Sequence, residues 1–279
     1  MNRLTLEKRT QIIGLLVEGN SLRATSRLTG CSKNTVTKLL VEIGEACQKY
    51  HDEHVRNVAS KRVQCDEIWS FCYSKDKNVP EKYRGEFGIG SIWTWTAIDS
   101  DSKLAISWLV GNRDAAYAHV FMQDIASRLR NRVQLTTDGL RAYIEAVDAN
   151  FGAAIDYAQL LKQYGEPLDK DHRYSPAVVT GIEKNVVTGN PNTKHISTSH
   201  VERQNLTMRM NMRRFTRLTN AFSKKVENHA HAVALHFMYY NFVRVHQTLR
   251  VTPAMQAGVT DHLWEIKDLA MLLENGDSN

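Results

Sequence analysis

The sequence predicts a mixed α/β layered domain preceded by a small all-α unit, and two observations carry this reading. From Thr5 to about Tyr50, apolar residues recur at helical spacing: Ile12, Leu15 and Leu16, then Leu22 and Leu28, then Val36, Leu39, Leu40 and Ile43. From Val63 onward, runs rich in Val, Ile, Trp, Phe and Tyr alternate with helical stretches.

The first 50 residues read as three helices. The turn before the third is Leu28-Thr29-Gly30-Cys31-Ser32, where Gly30 can adopt positive φ and Ser32 can cap the helix that follows. This is the outline of a helix-turn-helix DNA-binding domain, although a packing module of three helices fits the same pattern. In the former case Lys33, Asn34, Thr35 and Lys38 project from the start of the third helix toward a major groove, Asn reading adenine and the lysines phosphate or guanine.

A polar connector, residues 51–61, separates this unit from a domain spanning 62–273, with a short tail at 274–279. In that domain Val63 to Tyr73 and Ile92 to Val110 read as strands, the latter turning at Asp99-Ser100-Asp101-Ser102. Ala115 to Leu129 reads as a helix, Arg132 to Thr137 as a short strand, Leu140 to Val147 as a helix and Ala153 to Tyr157 as a further strand. Tyr164 to Thr198 holds Pro167, Pro176 and Pro191 with Gly165, Gly181 and Gly189, which predicts loops. From Ser199 to Leu273 the pattern is helical, broken near Thr252-Pro253 and Gly258.

Composition narrows the function. A chain of 279 residues with 42% hydrophobic content can bury a sizeable core, and its net charge of +6 favours an acidic partner such as nucleic acid. Cys31, Cys47, Cys65 and Cys72 lack paired zinc-ligand spacing and read as reduced thiols, consistent with a cytoplasmic protein. There is no run of 18 apolar residues; the uncharged stretch Asn228 to Val243 carries His229, His231, His236 and Asn241 and reads as a buried helix. A membrane role is not expected.

Three carboxylates stand out. Strand alternation puts Gln64, Asp66, Ile68 and Ser70 on one face and Cys65, Glu67, Trp69 and Phe71 on the other, leaving Asp66 in mid-strand among apolar neighbours. A charge there is costly unless it is paired or binds a cation. Asp138 ends the Val133 to Thr137 strand just before a helix, a common place for ligand sites, although Asp-Gly is also an ordinary turn pair. Glu202 lies three residues after Ser199, so Ser199-His200-Val201-Glu202 also fits a capping box. Glu202 nevertheless leads a helical line of Asn205, Arg209 and Arg213 that could reach a phosphate backbone. The seven basic residues from Arg203 to Lys225, among them Arg214 and Arg217, stand without any Asp or Glu between them, which again favours phosphate contact. Val201, Met208, Met212 and Phe215 read as core.

With their neighbours, these residues resemble a known set. Cys65-Asp66-Glu67-Ile68-Trp69-Ser70, Thr137-Asp138-Gly139-Leu140-Arg141-Ala142-Tyr143 and His200-Val201-Glu202-Arg203-Gln204-Asn205-Leu206 look like the three signatures of insertion-sequence DDE transposases, in order. The segment Arg213 to Thr219 with Phe222-Ser223-Lys224 is similar to the basic helix of the insertion-sequence-one family, and Tyr240-Asn241 and Thr252-Pro253-Ala254-Met255 resemble such tails. The resemblance implies a ribonuclease H-like fold, with Asp66 on the first strand, Asp138 after the fourth and Glu202 on a later helix. It further implies Asp66, Asp138 and Glu202 as catalytic ligands of Mg²⁺ or Mn²⁺, two ions together, and transposition of DNA by a homodimer or larger complex on element ends and target. The zinc ribbon that precedes the helix-turn-helix in that family has no counterpart here, so recognition of the ends falls to residues 1–50. A DNA-binding regulator without catalysis, and a ribonuclease H-like nuclease that cuts without joining, remain the alternatives.

Overall fold

The computed structural model describes residues 4–165, 178–216 and 220–275. Alternating apolar and polar residues build an antiparallel meander of β1 (Arg62–Cys72), β2 (Gly90–Asp99) and β3 (Ala105–Gly111). On its other edge β1 pairs in parallel with β4 (Gln134–Thr137), which pairs in parallel with β5 (Asp156–Gly165); β6 (Val178–Thr188) closes the sheet antiparallel to β5. The order is β3-β2-β1-β4-β5-β6, a mixed α/β arrangement with six strands.

Helices cover both faces. On one side α4 (Ala115–Arg128) and α5 (Ala142–Phe151) bury Phe121 and Tyr143 against Trp95 of β2. On the other side lie α6 (Ser199–Asn211) and α7 (Val226–Met238), with Phe237 of α7 stacked on Trp108 of β3 at 4.9 Å. The predicted buried helix is thus α7, prolonged by a π-helical turn at Tyr239–Val243. There Asn241 donates to and accepts from the backbone of Ala105, both at 2.9 Å, and pins the start of β3. The predicted break at Thr252-Pro253 is the start of α8 (Pro253–Gln256), capped by the Thr252 hydroxyl.

One expectation is overturned. The stretch Tyr164 to Thr198 is not all loop, because β5 runs on to Gly165 and Val178–Thr188 forms β6. The β-branched residues Val178, Val179, Thr180, Ile182, Val186, Val187 and Thr188 outweigh Gly181, and Pro191 falls just past the strand end. Pro167 and Pro176 lie outside the described residues. Only Asp156 to Gln159 of β5 pair with β4, so from Leu160 onward β5 and β6 continue as a two-stranded arm beyond the sheet.

At the amino terminus α1 (Leu6–Val17), α2 (Leu22–Thr29) and α3 (Lys33–His54) form as the periodicity predicts. Gly30 takes φ 71°, and the Ser32 hydroxyl accepts from the Thr35 amide at 3.1 Å. The third helix runs beyond Tyr50 to His54 because its end is gripped by buried Arg128, which donates to Asp52 and to the carbonyls of His51 and Val55. Ile12, Leu40 and Ile43 share one buried cluster with Val233 and Phe237 of α7 and with Leu269 of α9 (Ile266–Asn275).

The crossing of α3 and α7 is very close at Gly44, where a Cβ would stand 2.6 Å from Cα of His231. Gly44→Ala should therefore destabilise the protein by about 1–3 kcal/mol despite the better helix propensity of Ala. Urea denaturation of the two proteins measures this; equal or greater stability of the variant would show that the helices are free to move apart.

Candidate active site

The faces of β1 decide where its acids go. Gln64 and Asp66 point toward α6, and Asp66 accepts a hydrogen bond from Asn205 Nδ2 at 2.8 Å. Glu67 points to the opposite face, where Tyr143 of α5 donates to one of its oxygens and Arg113 Nε to the other at 3.0 Å. The parallel register sets Thr136 of β4 opposite Gln64, so Asp138, two residues on, comes level with Asp66. Asp138 Oδ1 accepts from the Leu140 amide at 3.0 Å, and Oδ2 from Arg113 Nη2 at 3.2 Å. The turn itself is held by Gln159, which donates to the carbonyls of Asp138 and Leu140 at 3.1 and 3.2 Å.

Glu202 does not form the capping box that its spacing allows. Thr198, not Ser199, is the residue at the helix start, and the free amides of His200 and Val201 donate to Gln64 Oε1 at 2.8 and 3.2 Å. A strand side chain thus satisfies the orphan donors of α6. The Glu202 carboxylate is left to accept from Lys162 Nζ and the Thr198 hydroxyl. Asp66, Asp138 and Glu202 line one open groove together with Arg113 and Lys162.

Burial first, and then the negative charges of Asp138 and Glu202, push the Asp66 carboxyl up to about 7 against the lowering hydrogen bond from Asn205. Burial and Asp138 likewise push Glu67 up to about 7. Oxygens of Asp66, Glu67 and Asp138 all fall within 4.8 Å of one another. Asn205 Oδ1, buried beside Asp66, has no hydrogen-bond partner among the described residues. Crowded hard oxygens with an orphaned acceptor among them are compatible with a divalent cation.

The basic residues divide. Arg203 and Arg213 are exposed, while Arg209 lines the continuation of the groove past Asn205. The basic segment is not one helix: α6 stops at Asn211, and Arg213–Phe215 form a 3₁₀ turn that buries Phe215 against His229. Arg214 turns inward to the Ser223 hydroxyl at 2.7 Å, where burial lowers its pKa to about 10. Arg217 lies outside the described residues. Val201, Met208, Met212 and Phe215 are core, as predicted. Lys33, Asn34 and Lys38 are exposed, and the Thr35 hydroxyl is 2.9 Å from that of Ser32. Sequence reasoning missed Gln64, Arg113, Gln159 and Lys162; only Gln64, two residues before Asp66 on the same strand face, carried a visible signal.

The raised Asp66 carboxyl has a stability consequence. Folding favours its protonated form, so its contribution is fully present below about pH 4 and is lost as pH rises to about 7. Asp66→Asn should therefore melt higher than wild type by a margin that widens from pH 5 to pH 8. Each kcal/mol relieved is worth about 2–4 °C in a chain of this size. A margin that stays constant over this range in a thermal melt would show that folding does not raise the Asp66 carboxyl.

Among curated proteins none matches this chain. Of solved structures, a Mos1 transposase paired-end complex with left transposon end aligns at 11% identity and a TM-score of 0.22, over 53% of this chain and 58% of that one. A Mos1 mariner paired-end complex with Mn aligns at 12% identity and a TM-score of 0.21, over 53% and 58%, and the Mos1 strand transfer complex at 10% and 0.25, over 85% and 76%. The chain thus spans under two thirds of the first two, and the likeness is remote throughout. Residues 180–243, which hold Glu202 and the basic segment after it, match the model of the IS1 transposase family, and this match supports an IS1-like DDE transposase, the resemblance that the three motifs carry.

Proposed function

We propose that this protein is a DNA transposase whose ribonuclease H-like domain hydrolyses phosphodiester bonds at the ends of a mobile element and joins the freed 3′-hydroxyl to target DNA. The observation that carries the reading is that Asp66, Asp138 and Glu202, from three elements far apart in the chain, line one groove. The strand order β3-β2-β1-β4-β5, antiparallel then parallel, supports the ribonuclease H-like assignment.

Asp66, Asp138 and Glu202 would hold two Mg²⁺ or Mn²⁺ ions. When bound, such ions offset phosphate charge, activate the attacking oxygen and stabilise the departing one. The chain's own residues do the rest. Asn205 fixes the Asp66 carboxylate, Gln64 holds α6 so that Glu202 faces the groove, and Lys162 neutralises Glu202 until it is called on to bind a cation. Arg203, Arg209 and Arg213 follow Glu202 along the chain and serve to seat the DNA backbone. Arg214, turned inward, supports the fold of this segment instead. Residues 1–50 act as a helix-turn-helix domain that binds the element ends through Lys33, Asn34, Thr35 and Lys38. The work is done in the cytoplasm, on double-stranded DNA, by a homodimer or larger assembly that brings two ends together. Among the described residues no helix is long and apolar enough to cross a membrane.

Incubating the protein with Mg²⁺ or Mn²⁺ and duplexes bearing the ends of its own element tests the reading. Asp66→Asn and Glu202→Gln should each lose more than the ~100-fold typical of removing an outer partner of a metal site, with DNA binding retained. Full activity of Glu202→Gln would remove it from the site. Binding by the wild type without any cleavage would favour a regulator, and cleavage without strand-transfer products a nuclease.

A further inference from the structure

Glu67 poses a question that the groove does not answer. Its side chain is 1% exposed on the far face of β1, and both oxygens are already occupied by Tyr143 and Arg113. A buried carboxylate is costly, and this one lies beside two others. Its chief partner, Arg113, sits in the short link between β3 and α4, with firm structure on either side. The Asn112 carbonyl accepts from Trp95 Nε1 at 3.0 Å, and Asp114 caps α4 by accepting from the Tyr117 amide at 3.0 Å. The guanidinium also stacks on Trp93, 4.9 Å from the ring centre. Held on these sides, it extends Nη2 to Asp138 Oδ2 at 3.2 Å.

We infer that Arg113 is a positioning residue that sets the orientation of the Asp138 carboxylate, with Glu67, Tyr143 and Trp93 as its mount. The planar fork is what allows one side chain to donate from Nε to a buried acid and from Nη2 to a ligand acid at the same time. A lysine keeps the charge but loses the rigid fork and the flat face that lies over Trp93, so it does not hold the two acids at a fixed angle to each other. The buried charge of Glu67 then has a purpose: it fixes the guanidinium in place, so that Asp138 does not turn away from its neighbours when no cation is present. Glu67, 1% exposed on the α5 side of β1, is assigned to the guanidinium and not to the cation. Arg113 acts through Asp138 and does not touch the reacting atoms.

This inference rests on the metal-centre reading above, and the experiment separates the two. Mn²⁺ is titrated into wild type, Asp138→Asn, Arg113→Lys, Glu67→Gln and the double variant Arg113→Lys/Glu67→Gln, with free Mn²⁺ followed by electron paramagnetic resonance and the fold checked by near-ultraviolet circular dichroism. Arg113→Lys and Glu67→Gln should each weaken Mn²⁺ binding about 10- to 100-fold. The double variant should be little worse than the weaker single, since both remove the same mount. Cleavage by Arg113→Lys should recover at high Mn²⁺ with the KM for DNA unchanged. Tyr143→Phe, which keeps the ring and removes only the hydroxyl, should show a smaller loss in the same direction and serves if Glu67→Gln fails to fold. Wild-type Mn²⁺ affinity in Arg113→Lys with a raised KM for DNA would overturn the inference and make Arg113 a phosphate contact. Loss in Glu67→Gln alone would overturn it by making Glu67 a direct ligand. If wild type binds no Mn²⁺, or Asp138→Asn binds it equally well, the metal-centre reading fails and this inference with it.

Discussion

Like charges repel, and the groove between β1, β4 and α6 gathers Asp66, Asp138 and Glu202 with Glu67 buried just behind them. Little else about the arrangement makes sense without that repulsion. Added to burial, it raises the Asp66 carboxyl, and it is held in check by two cations brought from different directions: Arg113 from the β3–α4 link and Lys162 from the β5–β6 arm. Each cation bonds an acid of the groove, and each belongs to an element that the sheet positions independently. The balance is therefore a property of the whole α/β layer and not of any one motif.

How much of this was legible beforehand depends on how local each signal was. Asp66 was readable because strand alternation is local, and Asp138 because a strand followed by Asp-Gly is a local event. Glu202 was ambiguous because a capping box is also local and fits the letters equally well; the deciding contact comes from Gln64 on a distant strand. Arg113 and Lys162 carried no local signal, since a lone basic residue in a link or on an arm looks like any solvated charge. The β6 strand was hidden by its surroundings, where prolines and glycines on either side masked a β-branched run. Asn205 was noticed for its place in a polar line along α6, yet the structure spends its amide on Asp66, leaving Oδ1 as the orphan.

The amino-terminal helices show the same contrast. Their periodicity, the Gly30 turn and the Ser32 cap are all local and all present in the structure. What periodicity could not show is that α3 passes so near α7 at Gly44 and that α1 and α3 pack with α9 from the opposite end of the chain. Arg9 even pairs with Glu274 at 2.6 Å. The three helices thus share their apolar core with the carboxy-terminal ones, and the surface bearing Lys33, Asn34 and Lys38 is carried on a base that includes both ends of the chain.

The cap that Gln64 places on α6 also dictates an order of events. The residues it joins are 136 positions apart: the Ser199 amide donates to nearby Ser197 Oγ, but the next two amides of α6 take their partner from β1. On a ribosome, β1 emerges long before α6, and the third acid is the last to arrive. A truncated or nascent chain would hold Asp66 and Asp138 without the helix that completes the set. The acidic groove is therefore complete only when its last element, α6, has been made and seated against the strand that was made first.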